Sequence, residues 1–315
     1  MEALVPPTET RQQQVVRLWN SDLSWSFRHS PIAIGASVVA LTLIVAAVLA
    51  PWITPQNPFD PATLDLMEGF SRPGEPNAIT GRTFIFGSDS FGRDVYSAIL
   101  YGSRVSLLVG FASVIFSVVL GVGLGLLSGY AGGRIDALIM RIADIQLSFP
   151  AILIALLVFG VARGLIPPSH HEQIAIAVLI LAIGLSNWAQ YARTVRGSTL
   201  VEKNKEYVQS ARVMGRSQLV IMTRHVLPNV AGPVLVIATI NLALAVIEEA
   251  TLSFLGVGVP PTQPSLGTLI RVGQQFLFSG EWWILFYPAL ALILLALSIN
   301  LLGDWLRDAL NPKLR

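Results

Sequence analysis

Two adjacent carboxylates, Glu248 and Glu249, are the side chains best suited by type to bind a cation, because they lie near one end of a long apolar segment. Ionisable groups inside such segments are costly and often serve a function. Neighbouring helical residues point about 100° apart, so both carboxylates are not expected to face one ion. A structural salt bridge or an outer-gate contact is the favoured interpretation. Binding of a peptide amino group or another cation is the alternative.

A second pair, His170 and His171, could in principle bind a metal ion. A metal site needs three or four ligands at suitable spacing, and no further ligand accompanies the pair, so a solvated loop is the simpler interpretation. The sequence contains no cysteine and no phosphate-binding G-x-x-x-x-G-K-[ST] motif. It also lacks the G-x-S-x-G and H-E-x-x-H patterns of hydrolases. We therefore expect no catalytic residue, no metal site and no cofactor in this chain, and an intramembrane enzyme is the least supported class.

The remaining polar residues near apolar segments have simpler expected roles. Asp136, Arg141 and Asp144 are spaced for local ion pairing. Four residues within apolar segments are expected to form hydrogen bonds between helices: Asn187, Gln190, Asn241 and Asn300.

The composition predicts which elements position these residues. The chain is 53% hydrophobic and 13% charged, against about 25% charged in a soluble domain. Its mean hydropathy is +0.63. An integral membrane protein is therefore predicted. The net charge of +2 is too small to indicate a nucleic-acid partner.

Windows free of charged residues predict the membrane spans, each of which needs about 17–25 residues. There are six such windows: 29–59, 105–133, 145–162, 173–192, 225–247 and 282–303. The first is preceded by a long polar leader and is longer than a signal-peptide core, so an uncleaved anchor is favoured. In the second, Gly121, Gly125 and Gly129 have the small-x-x-x-small spacing of closely packed helices.

The distribution of basic residues predicts the orientation. If both termini face the cytoplasm, the inner segments hold most of the 21 lysines and arginines, as the positive-inside rule requires. The longest outer segment is then 55–103. In it, Asp89 and Arg93 have the spacing of a helical ion pair, with Asp94 beside them, and predict a short amphipathic helix on the outer membrane surface.

The largest inner segment, between spans four and five, contains the run EYVQSARVMGRSQLVIMTRHVLPN. Tyr207, Val208, Ala211 and Met214 recur at helical spacing, and Gly215 is a natural end for that helix. A second helical run is expected to end at 227–228, where a proline follows a leucine. Two short helices joined at a glycine would lie along the membrane surface or fit a groove on a partner.

This segment resembles the cytoplasmic EAA loop of permease subunits in bacterial ABC importers, whose pattern is E-A-A, three residues, Gly, nine residues, I-x-L-P. The matching positions in and around the pattern are Glu206, Gln209, Ser210, Ala211, Gly215, His225, Leu227 and Pro228. Gln209 replaces the acid, Ser210 replaces an alanine and His225 occupies the isoleucine position. The RHVLPN form is familiar from the peptide and nickel subclass.

Other stretches resemble the C-type permeases for dipeptides, oligopeptides and nickel. They are FGSDSFGRDVYSAILYGSRVSLLVG at 86–110, the P-x-N-P-x-D-P pattern at 55–61, SFP at 148–150 and EEATLSFLGVGVPPTQPSLG at 248–267. The resemblance covers about residues 25 to 312. It implies an all-α membrane protein of six transmembrane helices with the type I ABC importer permease fold and an N-terminal anchor helix.

The resemblance also implies partners. A second, homologous permease would complete the pathway, two ATP-binding subunits would hold ATP and Mg and bind the EAA loop, and an extracytoplasmic binding protein would deliver the substrate. Di- or oligopeptides are the expected substrate, with nickel complexes and other peptide-like solutes as the alternative within the subclass. An ion-coupled secondary transporter is the rival class, for which Glu248 and Glu249 would be the coupling residues.

These expectations give one organisation for the chain in the inner membrane. Its parts are a cytoplasmic tail at 1–30, a first transmembrane helix at 31–54, an extracytoplasmic loop with its amphipathic helix at 55–103, a transport domain of spans two to six at 104–304 with the coupling loop at 193–228, and a cytoplasmic tail at 305–315.

Overall fold

The computed structural model describes residues 22–260 and 262–310, and that part of the chain contains helices, turns, irregular loops and two isolated β-bridges, with an irregular segment at 54–94. Its α-helices are α1 (Asp22–Arg28), α2 (Pro31–Val48), α3 (Ala50–Ile53), α4 (Val95–Ala131), α5 (Gly133–Leu147), α6 (Ala151–Leu165), α7 (His171–Glu202), α8 (Glu206–Val213), α9 (Gln218–Val220), α10 (Leu227–Phe254), α11 (Leu266–Gln274) and α12 (Trp283–Leu310). A π-helical segment, Ile221–Val226, joins α9 to α10. Short 3-10 turns occur at Pro61–Thr63, Leu66–Glu68, Pro168–His170 and Leu277–Ser279. The predicted all-α class is confirmed.

Five helical segments in the described residues are long and apolar enough to cross a membrane. They are Pro31–Val48, Val95–Ala131, Pro168–Glu202, Gln218–Phe254 and Trp283–Leu310. Each overlaps one of the windows predicted from the sequence. Pro31–Val48 lies within its window, 29–59. The other four helices extend beyond theirs, because charged residues at the membrane surface continue a helix as readily as apolar ones do.

The third predicted span, 145–162, is not one helix. It falls on α5 and α6, which meet at an angle of 100°. The break lies at Ser148 to Pro150, where Pro150 has no N–H to donate and disfavours helical geometry at the residue before it. The described chain therefore has six spans only if this bent pair counts as one.

The predicted glycine packing in the second span is confirmed. A Cβ atom at Gly121 would lie 2.6 Å from the carbonyl oxygen of Trp188, and one at Gly125 would lie 2.6 Å from that of Ala192. Glycine allows the backbones of α4 and α7 to approach this closely. These two helices form the centre of the bundle, to which α10 and α12 add on one side.

Local sequence explains several helix starts. Ser30 precedes Pro31 and its hydroxyl accepts the N–H of Ala33 at 3.2 Å, which begins α2. Asp94 accepts the N–H of Ser97 at 3.0 Å and begins α4 at Val95 rather than at the predicted boundary, 104. Asp94 is thus the N-terminal cap of α4 and not part of a separate helix.

Candidate functional site

In the segment between α7 and α10, the first predicted helix is present as α8, whereas the second predicted run does not end where expected. Helix α8 ends at Val213, and Gly215 follows in the left-handed conformation with φ of 71°. The N–H groups of Gly215 and Arg216 donate to the carbonyl oxygens of Arg212 (2.9 Å) and Ala211 (3.2 Å). These two hydrogen bonds form a Schellman cap, for which glycine is preferred. The prediction that Gly215 ends the helix is confirmed.

The expected break at Leu227 and Pro228 is wrong. The chain stays helical from Gln218 to Phe254, and six residues before Pro228, Ile221–Val226, form a π-helical turn. A proline ring conflicts with the carbonyl four residues earlier in an α-helix. The wider π turn relieves that conflict, so α10 begins without interruption. The part of the segment outside the long helices is therefore 203–217, and the predicted coupling loop, 193–228, also includes the end of α7 and the start of α10.

One face of α8 is packed into the bundle and the opposite edge is exposed. Val208 and Ala211 are 0% and 1% exposed, and they belong to one apolar cluster with Leu126 of α4 and Tyr191 of α7. At the end of α8, Val213 is 89% exposed, and Met214, the next residue, is 70% exposed. The predicted apolar stripe is thus divided, because Met214 lies after the helix ends and does not share its buried face.

The other predicted residues of this segment lie mostly at the surface. Glu206, Gln209, Ser210, Gly215 and Pro228 are exposed, whereas His225 and Leu227 are half-buried. Leu219, on α9, is 70% exposed. We name Val213, Met214 and Leu219, three exposed apolar residues within seven positions of the sequence, the apolar edge. Three exposed arginines lie before, within and after these positions in the sequence: Arg212, Arg216 and Arg224.

Polar contacts brace α8 and the residues just before it against three long helices. The Tyr207 hydroxyl donates to Glu202 Oε2 at 2.5 Å and accepts from Asn229 Nδ2 at 3.2 Å, which links the end of α7 to the start of α10. Burial and the hydrogen bond to this carboxylate raise the pKa of Tyr207 to about 12. Lys203 Nζ donates to the carbonyl oxygen of Gly129 in α4 at 2.6 Å. No spacing in the sequence indicates these contacts, because they join residues from separate helices.

The two carboxylates of α10 face different neighbours. Glu249 is 0% exposed and accepts from Ser106 Oγ of α4 at 2.6 Å and from Ser253 Oγ at 2.7 Å. Glu248 is half-buried and accepts from Asn187 Nδ2 of α7 at 2.9 Å. Their predicted divergence is confirmed. The expected salt bridge is wrong for the described residues, since neither carboxylate is among the ion pairs formed there.

Ser106 extends the Glu249 contact to a third element. Its hydroxyl oxygen also accepts the N–H of Leu266, the first residue of α11, at 3.3 Å. The Ser253 hydroxyl likewise accepts the N–H of Val259 at 3.3 Å. Glu249 is therefore the buried centre of contacts that hold Val259 and Leu266 against α4 and α10.

The predicted amphipathic helix containing Asp89, Arg93 and Asp94 is wrong. These residues form a turn and a bridge before α4, and Asp94 caps that helix. Asp89 accepts the N–H groups of Phe91 (2.8 Å) and Arg93 (3.0 Å). Burial raises the pKa of Asp89, and these N–H groups partly oppose the rise. An aspartate that binds the backbone two and four residues on stabilises a turn instead of a helix, which the i,i+4 charge pattern does not reveal.

The other ion pairs join helices instead of forming locally. Asp136 of α5 binds Arg196 of α7 through two contacts of 2.5 and 2.7 Å, and Asp144 lies 3.6 Å from Arg193. The hydroxyl of Ser128 also donates to Asp136. The expected pairing within 136–144 is therefore wrong, because α5 turns back along α7 and brings its acids to the arginines there.

The predicted interhelical hydrogen bonds are confirmed except at one residue. Asn187 reaches Glu248, as described, and Asn241 of α10 donates to Gln190 Oε1 of α7 at 3.5 Å. Asn300 instead donates to Asp304 in its own helix at 3.4 Å. At the paired histidines, His171 Nε2 lies 2.8 Å from the carbonyl oxygen of Ile166. No cluster of three metal-binding side chains occurs among the residues the structure describes.

Comparison with protein families explains this combination of a helical bundle and an exposed segment. A family model described as the binding-protein-dependent transport system inner membrane component matches residues 121–315. A second model, the N-terminal TM domain of oligopeptide transport permease C, matches residues 18–71. The chain belongs to the family of binding-protein-dependent inner membrane components.

Individual relatives extend the match over nearly the whole chain. A putative peptide transport system permease protein of Brucella abortus biovar 1 is 41% identical over 288 residues, which cover 91% of this chain and 90% of the relative. The di/tripeptide transport system permease protein DppC of Pseudomonas aeruginosa is 36% identical over 293 residues, which cover 92% of this chain and 91% of the relative. The protein is therefore a multi-pass permease subunit of an ABC importer in the bacterial inner membrane.

A solved structure shows the same fold. The MetNI methionine ABC transporter, in an inward-facing conformation, matches 68% of this chain and 96% of its own chain with a TM-score of 0.53 and 21% sequence identity. This likeness confirms the predicted ABC permease fold.

Proposed function

We propose that this permease forms half of a translocation pathway for di- or oligopeptides and couples it to two separate ATP-binding subunits through the coupling loop, 193–228. A second, homologous permease would form the other half, and an extracytoplasmic binding protein would deliver the peptide. Both termini would face the cytoplasm. In this arrangement 31–54 anchors the chain, and the spans that follow it carry transport.

The observation that carries the proposal is the pairing of a braced helix with an exposed apolar edge. Helix α8 is fixed by Val208 and Ala211 in an apolar cluster shared with α4 and α7. The adjacent Val213 and Met214 are exposed. An exposed apolar surface surrounded by charge is typical of a protein contact. A partner bound there would move α8, and its contacts would pass that movement to the spans.

The ATP-binding subunits would supply both ATP and Mg, because the sequence lacks the phosphate-binding motif that such a site requires. The permease would then act only by movement. The π turn and Pro228 fit this role, because they continue α9 into α10 without a flexible hinge. Closure of the two ATP-binding subunits would displace α8 and α9, and with them the inner end of α10.

Peptides are favoured as the substrate by the names of the relatives. Those named above are described as peptide and di/tripeptide permeases, and a glutathione transport system permease protein of Pectobacterium atrosepticum is 36% identical over 292 residues. Nickel complexes are not favoured by these relatives. Glu248, half-buried on α10, is the residue we assign to the pathway or its gate, whereas Glu249 is fully enclosed and has a structural role there.

An ion-coupled transporter is a weaker interpretation of the same carboxylates. Such a mechanism needs ionisable groups that share an ion or relay a proton near the middle of the membrane. Glu248 and Glu249 instead bind Asn187 of α7 and Ser106 of α4. Their separate environments favour helix positioning over a shared ion site.

The proposal is tested by the ATPase activity of the complex purified with its co-expressed genomic neighbours and placed in nanodiscs. We expect stimulation by the binding protein with dipeptide or oligopeptide, and none with nickel. Gly215→Trp should abolish that stimulation. Gly280→Trp is the matched control, since Gly280 also has a positive φ, 101°, with open space around it but lies far from α8 in the sequence. Uptake by the purified chain alone from an ion gradient, without nucleotide, would contradict the proposal.

A further inference from the structure

A groove of about 510 Å³ opens between α2 and α4, with Ile176 of α7 also in its lining. Its lining is aliphatic and aromatic, including Val48 of α2 and Leu108 and Phe111 of α4, with Arg104 and Gln263 as the polar exceptions. A single cation at the end of an apolar groove is unusual, because an arginine in a membrane segment needs a counter-charge or water.

Arg104 has no protein counter-charge in the described part of the chain. Its side chain is exposed and lies 5.8 Å from the ring of Tyr101. None of the ion pairs formed by residues 22–260 and 262–310 includes it. The contact with an aromatic face orients the guanidinium but leaves its charge and most of its five N–H donors available.

The position of Arg104 corresponds to the membrane surface. Val48, which lines the same groove, ends α2, and Trp52 follows with 77% of its surface exposed. Exposed tryptophans mark the boundary between hydrocarbon and headgroups. An interface at Trp52 would place Arg104 at the depth at which lipid phosphates occur.

A continuous apolar stripe runs along α4 from Arg104 towards the membrane centre. Leu108, Phe111, Ile115 and Val119 are 57%, 44%, 60% and 68% exposed, respectively. They recur at intervals of three and four residues and so share one face of the helix. The distance along the helix from Arg104 to Ile115 is about 16 Å. One leaflet of the hydrocarbon core is about 15 Å thick, so the stripe, which continues to Val119, is long enough to accompany one acyl chain across its leaflet.

We propose that this groove binds an anionic phospholipid of the phosphatidylglycerol type. The phosphate would accept hydrogen bonds from the Arg104 guanidinium, with Gln263 beside it, and one acyl chain would lie along the α4 stripe against α2. Arginine suits this role because its fork of donors matches the oxygens of a phosphate. The lipid would fill the space between the N-terminal anchor helix and the transport bundle.

The experiment measures phosphatidylglycerol retained by the assembled importer after detergent purification, by extraction and mass spectrometry. Arg104→Gln should lower the retained lipid about tenfold, as expected for loss of a charge-assisted hydrogen bond, and Arg104→Lys should lower it less. Arg163→Gln is the matched control and should leave retention unchanged. Arg163 is also exposed and lies 5.5 Å from an aromatic ring, Phe159, but it does not line the groove.

A second variant tests the apolar half of the site without removing the charge. Leu108→Trp places a larger side chain in the groove and should also lower retention. Excess inorganic phosphate should not displace the lipid from the unaltered complex, because it has no acyl chain. Equal retention in Arg104→Gln and the unaltered complex would overturn the proposal. So would loss of the second permease from Arg104→Gln with the lipid retained, since the groove would then hold a protein partner.

Discussion

Tyr207 of α8 donates a hydrogen bond of 2.5 Å to the carboxylate of Glu202 at the end of α7. The same hydroxyl accepts from Asn229 at the start of α10. One side chain of the exposed segment therefore joins two spanning helices. In the proposed mechanism, this link converts movement of α8 into movement of α7 and α10 together.

Tyr207→Phe should weaken coupling without preventing assembly. The substitution removes both hydrogen bonds and keeps the ring, a loss of about 1 kcal/mol, which corresponds to about fivefold. We expect peptide transported per ATP hydrolysed to fall by up to that factor, measured in proteoliposomes. Tyr96→Phe is the control, because Tyr96 lies at the start of α4 and its ring packs against Phe86, which precedes that helix. Equal ratios in the two variants would show that the hydroxyl does not transmit movement.

Ala211→Leu should destabilise the packed face of α8. Ala211 is 1% exposed, and added methyl groups in a filled site cost about 1–3 kcal/mol. We expect a lower melting temperature of the purified complex. Ser210→Leu, one residue earlier and exposed, should leave it nearly unchanged. A similar decrease in both variants would contradict the burial of this face.

The sequence predicts the elements near α8 better than it predicts their connections. Helical spacing and a following glycine are local features, so the end of α8 and the cap at Gly215 could be predicted. The π turn before Pro228 could not, because a proline in a helical pattern predicts a break unless the preceding turn widens. Contacts such as Lys203 with Gly129 depend on how α4 and α7 pack and have no signal in spacing.

Glu249→Ala should lower the stability of the permease more than Glu248→Ala does. Removal of the buried Glu249 carboxylate leaves the hydroxyls of Ser106 and Ser253 without their acceptor, at about 1–3 kcal/mol. Glu248 is only half-buried, so water can replace it more readily. Thermal unfolding in detergent, followed by tryptophan fluorescence, measures both. A larger loss in Glu248→Ala would contradict the structural role of Glu249.

The Asp136–Arg196 pair should show a measurable coupling energy. Its two contacts of 2.5 and 2.7 Å are those of a bidentate pair, for which a double-mutant cycle is expected to give about 1 kcal/mol. Asp144 and Arg193 provide the matched cycle. Their contact is 3.6 Å and both side chains are more than half exposed, so their coupling should be close to zero. Similar values for both pairs would contradict the difference in geometry.

The remaining errors of sequence interpretation have one physical source. The charge spacing of Asp89 and Arg93 suits a helix, but Asp89 instead binds backbone N–H groups and forms a turn. Asp136 and Asp144 have nearby charges in the sequence but pair with α7. In both places, contacts that form only in the folded chain replace the local pairs that the sequence indicates.

The central claim, that the apolar edge binds an ATP-binding subunit, is tested most directly by cross-linking. The chain has no cysteine, so Met214→Cys introduces a single reactive site at an exposed position. In the assembled importer we expect a thiol-to-amine cross-linker to join this residue to the ATP-binding subunit. Ile79 is 70% exposed in the loop 55–103, which would lie on the other side of the membrane. Ile79→Cys should therefore not cross-link to the ATP-binding subunit. A cross-link from position 79, or none from position 214, would contradict the proposed docking surface.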